Sequence, residues 1–67
     1  MEVLVKMFDN EALARLWAGI LREEGIQSLV KPAIGAFPYV GPFVPHALYV
    51  PSEDAERAKA LLEDIQQ

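Results

Sequence analysis

The sequence predicts a single α+β domain whose elements follow the order β-α-β-β-α. Three short segments have the apolar, β-branched composition of strands, and two longer segments repeat apolar residues at helical spacing. Each helix is apolar on one side only, so both are expected on one face of a three-stranded antiparallel sheet. The chain has 67 residues, which is the size of one domain, spanning residues 1–67.

The first strand and the first helix occupy the first 25 residues. An alternating apolar set predicts the strand: Val3, Val5 and Met7. Asp9 or Asn10 is expected to cap the helix that follows, and Gly25 suits the left-handed position that ends a helix. The apolar stripe of this helix comprises Leu13, Leu16, Trp17, Ile20 and Leu21.

Two further strands and a second helix follow. Residues 26–31 form a predicted strand that stops at Pro32, and residues 47–50 form another that stops at Pro51. Ser52 is expected to cap the second helix, with acidic residues in its first turns. One face of this helix is apolar: Ala55, Ala58, Leu61, Leu62 and Ile65.

This arrangement is most of a ferredoxin-like sandwich, without its last strand. It implies the strand order 1-3-2 with strand 1 at a free edge. Seven apolar residues should then point at the helices: Val3, Val5, Met7, Ile26, Val30, Leu48 and Val50. The opposite parity places Leu4, Leu29 and Tyr49 on the face without helices, where an antiparallel sheet is normally polar.

The connection between strands 2 and 3, residues 32–45, is the least polar loop in the chain. Residues 32–52 contain no charged side chain apart from His46 when it is protonated. The loop is rich in Pro and Gly, yet it carries large apolar residues that need cover: Ile34, Phe37, Tyr39, Val40, Phe43 and Val44. Either the loop folds over the open face of its own sheet, or a second subunit covers both; the short chain favours a second subunit.

Composition excludes several classes of function. The net charge is −4 and the basic residues are scattered, which argues against a nucleic-acid partner. No apolar run approaches the roughly 20 residues of a membrane span, and the first residues do not resemble a secretion signal. A cytoplasmic protein is expected. The chain lacks Cys and has one His, so we expect no disulfide, no metal site and no cofactor.

No catalytic residues are expected either. His46 has no nucleophile or orienting carboxylate in a recognisable pattern, and a strand-end histidine held by a backbone carbonyl is the favoured interpretation. The acidic group at residues 53–56 reads as a solvated helix start. Gly35 and Gly41 lack the lysine of a phosphate loop. Trp17 is expected in the core, with His46 and Trp17 kept as secondary contact candidates.

Two motifs resemble those of a bacterial family. The first motif is EEGI at residues 23–26. The second is Val50-Pro51, followed by EDAERA at residues 53–58 and by Leu61-Leu62. Both resemble motifs of the DUF2007 family of signal-transducing proteins. The resemblance implies a ferredoxin-like module similar in outline to the nitrogen-regulatory PII proteins. It implies no catalytic residues, and fold likeness alone does not establish function.

The function predicted from the sequence is therefore a non-enzymatic regulatory interaction module, expected to form a homodimer. Its contacts should come from the open sheet face and the loop: Leu4, Leu29, Ile34, Phe37, Tyr39, Phe43 and Tyr49. The alternative is a small-molecule sensor that binds a weakly polar ligand between that loop and the sheet. A protein partner other than a second copy is also open.

Overall fold

A computed structural model describes residues 1–33 and 44–65, without the side chains of residues 64 and 65. It confirms the predicted β-α-β-β-α order. The strands are β1 (Glu2–Phe8), β2 (Leu29–Pro32) and β3 (His46–Pro51), and the helices are α1 (Glu11–Glu23) and α2 (Ala55–Ile65). The contact candidates Ile34, Phe37, Tyr39 and Phe43 lie outside the described residues.

The three strands form an antiparallel sheet in the order β1-β3-β2, as predicted. Among the described residues, β1 pairs with β3 alone and so lies at an edge of the sheet. At the end of the β2–β3 ladder, the amide of Ala33 donates a 2.9 Å hydrogen bond to the carbonyl oxygen of Pro45. Ala33 and Pro45 therefore lie together at one end of the sheet.

An irregularity interrupts the pairing of β1 with β3. Leu4 pairs with Tyr49, whereas Lys6 pairs with the next residue along β3, Leu48, so Val5 is one residue too many on β1. Such a bulge reverses the alternation of side chains beyond it. From Lys6 onward, the residues of β1 therefore face the side opposite to the one that simple alternation predicts.

The prediction that Met7 points at the helices is therefore wrong. Met7 pairs with Ala47 and is 47% exposed, while Phe8 is 6% exposed and belongs to the core. Val5 still packs against the core from the bulge itself. The bulge thus brings a larger aromatic residue into the core in place of methionine.

Both helices contribute to one hydrophobic core, which places them on the same face of the sheet. The buried members are Phe8, Ala14, Ala18, Leu21, Ile26, Leu48, Val50, Ala58 and Leu62. α1 lies above β2 and β3, α2 lies above β1 and β3, and the Arg57 guanidinium of α2 donates to the carbonyl of Glu24 at the end of α1. One face of the sheet is covered in this way.

The ends of α1 follow capping chemistry. Asn10 is the N-cap: its Oδ1 accepts a 2.9 Å hydrogen bond from the amide of Leu13. At the other end, Gly25 has φ +82° and donates to the carbonyl of Arg22, while Ile26 donates to the carbonyl of Leu21. This pair of bonds buries Ile26 as part of the helix end, so the strand predicted from residue 26 begins only at Leu29.

Replacement of Gly25 by alanine is expected to destabilise the fold by about 1 kcal/mol. A Cβ at this position meets no other atom within 4 Å, so the cost comes only from the left-handed backbone. Gly19, inside α1 and equally unobstructed, provides the control, because Gly19→Ala should stabilise the helix by roughly 0.5–1 kcal/mol. Urea unfolding of both variants measures the two effects, and changes of the same sign would contradict this interpretation.

The start of α2 differs from the sequence prediction. A 3-10 turn over Ser52–Asp54 precedes the helix, which begins at Ala55. Ser52 is therefore not its N-cap. Instead, the amide of Ser52 donates a 2.7 Å hydrogen bond to the carbonyl of Met1, and this bond holds the chain at the end of the sheet.

Candidate interaction surface

One cross-strand row defines the face of the sheet that lies away from the helices. Tyr49 of β3 pairs with Leu4 on one side and with Leu29 on the other, so the three side chains lie abreast. Their parity is opposite to that of Leu48 and Val50, which are buried under the helices. The structure thus brings together the three described residues that the sequence predicted on this face.

These side chains are open to solvent in a single copy of the chain. Leu4 is 48% exposed and Leu29 is 37% exposed, and Tyr49 is half-buried between them. On the same face, towards the end of β1, Met7 adds a further exposed apolar side chain next to the buried Ala47. A contiguous apolar patch of this kind is typical of a contact surface, because scattered single exposed leucines need no such explanation.

Charges on this face lie at its margins. Glu2 pairs with Pro51 at the start of β1, and Lys31 pairs with Ala47 near the end of β2. The Lys31 ammonium lies 5.2 Å from the centre of the Tyr49 ring, which is a cation–π distance. The strand positions of these two charged residues therefore lie at opposite corners of the face, and the Lys31 ammonium reaches back over the aromatic ring at its middle.

A cavity of about 290 Å³ opens at the end of the sheet where β1 begins. Arg22 lies at its rim and donates a 3.2 Å hydrogen bond from its guanidinium to the carbonyl of Ser28. The lining residues are Glu2, Arg22, Gln27, Ser28, Leu29 and Pro51. This end of the sheet is opposite to the one from which the 32–45 loop departs, so the cavity is not the loop-side crevice that a sensor requires.

The two secondary candidates lie elsewhere. Trp17 is half-buried against the core on the helix side. His46 has the parity of the helix-facing residues of β3, and its Nδ1 lies 2.8 Å from the carbonyl oxygen of Val44, as predicted for a strand-end histidine. Because a carbonyl only accepts, Nδ1 carries the proton. Neither residue joins the row of Leu4, Tyr49 and Leu29.

An exposed ion pair lies at the start of α1. The Nε of Arg15 donates a 2.7 Å hydrogen bond to Oε2 of Glu11 and lowers the pKa of Glu11 below its ordinary value. The charge of His46 contributes a smaller lowering of the same pKa. Since both partners are solvated, the pair fixes a local geometry and does not create a reactive group.

A second exposed apolar surface lies on α1, and sequence reasoning assigned it to the core. The predicted stripe is only partly correct: Leu21 is buried, but Leu13 is 41% exposed and Leu16 is 57% exposed. The buried positions are instead Ala14 and Ala18. The burial of these small alanines in place of the larger leucines could not be predicted from hydrophobic size alone.

Over residues 1–33 and 44–63, no group of three or more His, Cys, Asp or Glu side chains is placed to hold a metal ion. Within the same part of the structure, no helix has the length and apolar character needed to cross a membrane.

Residues 3–66 match the family described as "Putative prokaryotic signal transducing protein", DUF2007. The match covers nearly the whole chain, so the chain belongs to this family, as the EEGI and EDAERA motifs indicated. Neither a curated protein nor a solved structure matches the chain.

Proposed function

We propose that this DUF2007 family member is a non-enzymatic regulatory module that self-associates through the sheet face bearing Leu4, Tyr49 and Leu29. The observation that supports the proposal is the row itself: three large side chains lie abreast on the side of the sheet away from both helices. An uncovered antiparallel face is ordinarily polar, so an apolar one indicates burial against something else. The family description agrees with a signalling role without naming its mechanism.

Chain length supports a second copy as the partner. A domain of about 60 residues buries only about 60% of its unfolded surface and gains much from shared burial. Small folds without disulfides or metals commonly rely on oligomerisation, and this chain contains no Cys.

The area of the sheet face sets a condition on this interface. Three strands about 4.8 Å apart and about 20 Å long present roughly 300 Å² in projection. A stable interface usually buries about 800 Å² on each partner. We therefore expect the aromatic residues of the 32–45 loop, Phe37, Tyr39 and Phe43, to supply much of the remaining contact area.

The double substitution Leu4→Ser, Leu29→Ser is expected to convert a dimer into a folded monomer. Both side chains are exposed in the single copy, so their loss removes contact area without opening the core. Native mass spectrometry and sedimentation velocity measure the subunit number at protein concentrations from roughly 5 to 500 µM.

Leu16→Ser is the matched control, because Leu16 is even more exposed at 57% but lies on α1. It should leave the dimer intact. A dimer that survives the double substitution, or one that only Leu16→Ser disrupts, contradicts the proposed surface.

The sensor function remains the alternative, with a weakly polar ligand held between the 32–45 loop and the row of Leu4, Tyr49 and Leu29. Its support is the hydrogen bond between Ala33 and Pro45, which places the two ends of the loop together at one end of the sheet that carries this row. The same native mass spectra distinguish the two, because a bound metabolite adds mass to a single chain. A ligand-loaded monomer would replace the interaction module with the sensor.

A further inference from the structure

The open sheet face carries one acidic and one basic side chain at diagonally opposite corners. Glu2 lies at the start of β1, and Lys31 lies towards the far end of β2, with β3 between them. Among the strand residues that the structure describes, these are the only Asp, Glu, Lys or Arg on this face, because the bulge turns Lys6 to the other side. A surface with this pattern is complementary to a copy of itself in a particular orientation.

We infer that two copies pack these faces together with their strands crossing at close to a right angle, so that Glu2 of each copy meets Lys31 of the other. The inference rests on the proposed self-association and specifies its geometry. The two copies are related by a two-fold axis that lies in the interface plane. The axis runs along the diagonal of the face that joins the two uncharged corners. Rotation about it places the Glu2 corner of each copy on the Lys31 corner of the other. Near-orthogonal crossing is one of the two common ways in which sheets pack face to face.

The alternative two-fold axes leave the charges unmatched. An axis parallel to the strands places Lys31 against the end of β1 that carries Met7, and Glu2 against the start of β2. An axis perpendicular to the strands places Glu2 against Met7 of the partner. Both alternatives leave each charge opposite an uncharged part of the partner, so neither forms the two ion pairs that the diagonal axis provides.

The diagonal axis also brings apolar side chains of the two copies opposite one another. Tyr49 lies at the centre of the face, next to the axis, and so lies opposite Tyr49 of the partner subunit. The Lys31 ammonium, 5.2 Å from the Tyr49 ring centre within one copy, moves outward to reach Glu2 of the partner subunit. Leu4 falls near Ala47 of the partner subunit, a small residue that is 5% exposed at the floor of the face. Leu29 falls near Pro51 of the partner subunit, at the mouth of the 290 Å³ cavity.

Charge reversal tests this geometry. Glu2→Lys places two basic corners on one chain, and Lys31→Glu places two acidic corners on the other. Each variant alone is expected to dimerise at least about tenfold more weakly than the parent chain, because like charges then meet at both corners. An equimolar mixture of the two variants should recover the dimer, as a heterodimer of distinguishable mass, and the double variant E2K/K31E should recover a homodimer.

Two substitutions of equal charge change serve as controls. Glu23→Lys and Lys59→Glu alter exposed residues on the helices and should leave dimerisation unchanged at the same ionic strength. The crossed arrangement is wrong if the single variants dimerise like the parent chain, or if mixing them does not restore a dimer. The Leu4→Ser, Leu29→Ser variant then still tests whether this face associates at all. If the parent chain is monomeric even at roughly 500 µM, both the crossed arrangement and the proposed self-association are wrong.

Discussion

Phe8→Ala is expected to destabilise the fold by about 3–5 kcal/mol, which is the usual cost of removing a buried aromatic side chain. Phe8 is 6% exposed and belongs to the core between the sheet and the helices. A domain of this length has a total stability of only about 3–10 kcal/mol. The variant should therefore be largely unfolded at 37 °C, as far-UV circular dichroism and urea titration will measure.

Met7→Ala is the control, because a regular strand would bury Met7 and expose its neighbour. In the structure the methionine is 47% exposed, so its truncation should cost well below the loss seen for Phe8→Ala. Urea unfolding at low micromolar concentration keeps any effect on association small. A larger loss for Met7→Ala than for Phe8→Ala would show that β1 has no bulge.

The bulge also shows where prediction of the strand faces from sequence ends. Alternation correctly assigned Val3 and Leu4 to opposite faces, because they precede the extra residue. It failed after Val5, since nothing in the local pattern indicates that an additional residue is accommodated there. The choice is made by tertiary packing, which gains more from burying an aromatic ring than a methionine.

The first helix shows a second limit. Its period, its cap at Asn10 and its end at Gly25 follow from residue chemistry and were predictable. The buried side was not, because the largest apolar residues were taken as the core side. A helix that approaches a sheet closely buries small residues such as Ala14 and Ala18, which leaves Leu13 and Leu16 outside.

The sheet face on which Leu4, Tyr49 and Leu29 lie was predicted better than the buried side of the helix, for a physical reason. Leu4, Tyr49 and Leu29 lie on the far side of short strands whose register is fixed by the buried residues between them. Once Leu48 and Val50 are buried, Tyr49 has to point the other way. The contacts expected from residues 34–43 have no such constraint, since a Pro- and Gly-rich sequence predicts no repeating side-chain direction.

The thermal stability of the chain is expected to increase with protein concentration. If the folded state is a dimer and the unfolded state is a single chain, mass action favours folding as the concentration rises. With an unfolding enthalpy of about 0.7 kcal/mol per residue, the melting temperature should rise by about 10 °C between 5 and 500 µM, roughly a hundredfold range. Differential scanning calorimetry and circular dichroism melts measure the shift.

The variant Leu4→Ser, Leu29→Ser makes this prediction specific to the sheet face. The melting temperature of this variant should no longer depend on protein concentration. It should also lie below that of the parent chain even at roughly 5 µM, because the variant lacks the shared burial that compensates for a small core. Leu16→Ser should keep the full dependence, since its side chain lies on α1. A parent chain whose melting temperature is constant over this range would mean that one copy is stable with its apolar face in water, and the proposed function would then lose its physical basis.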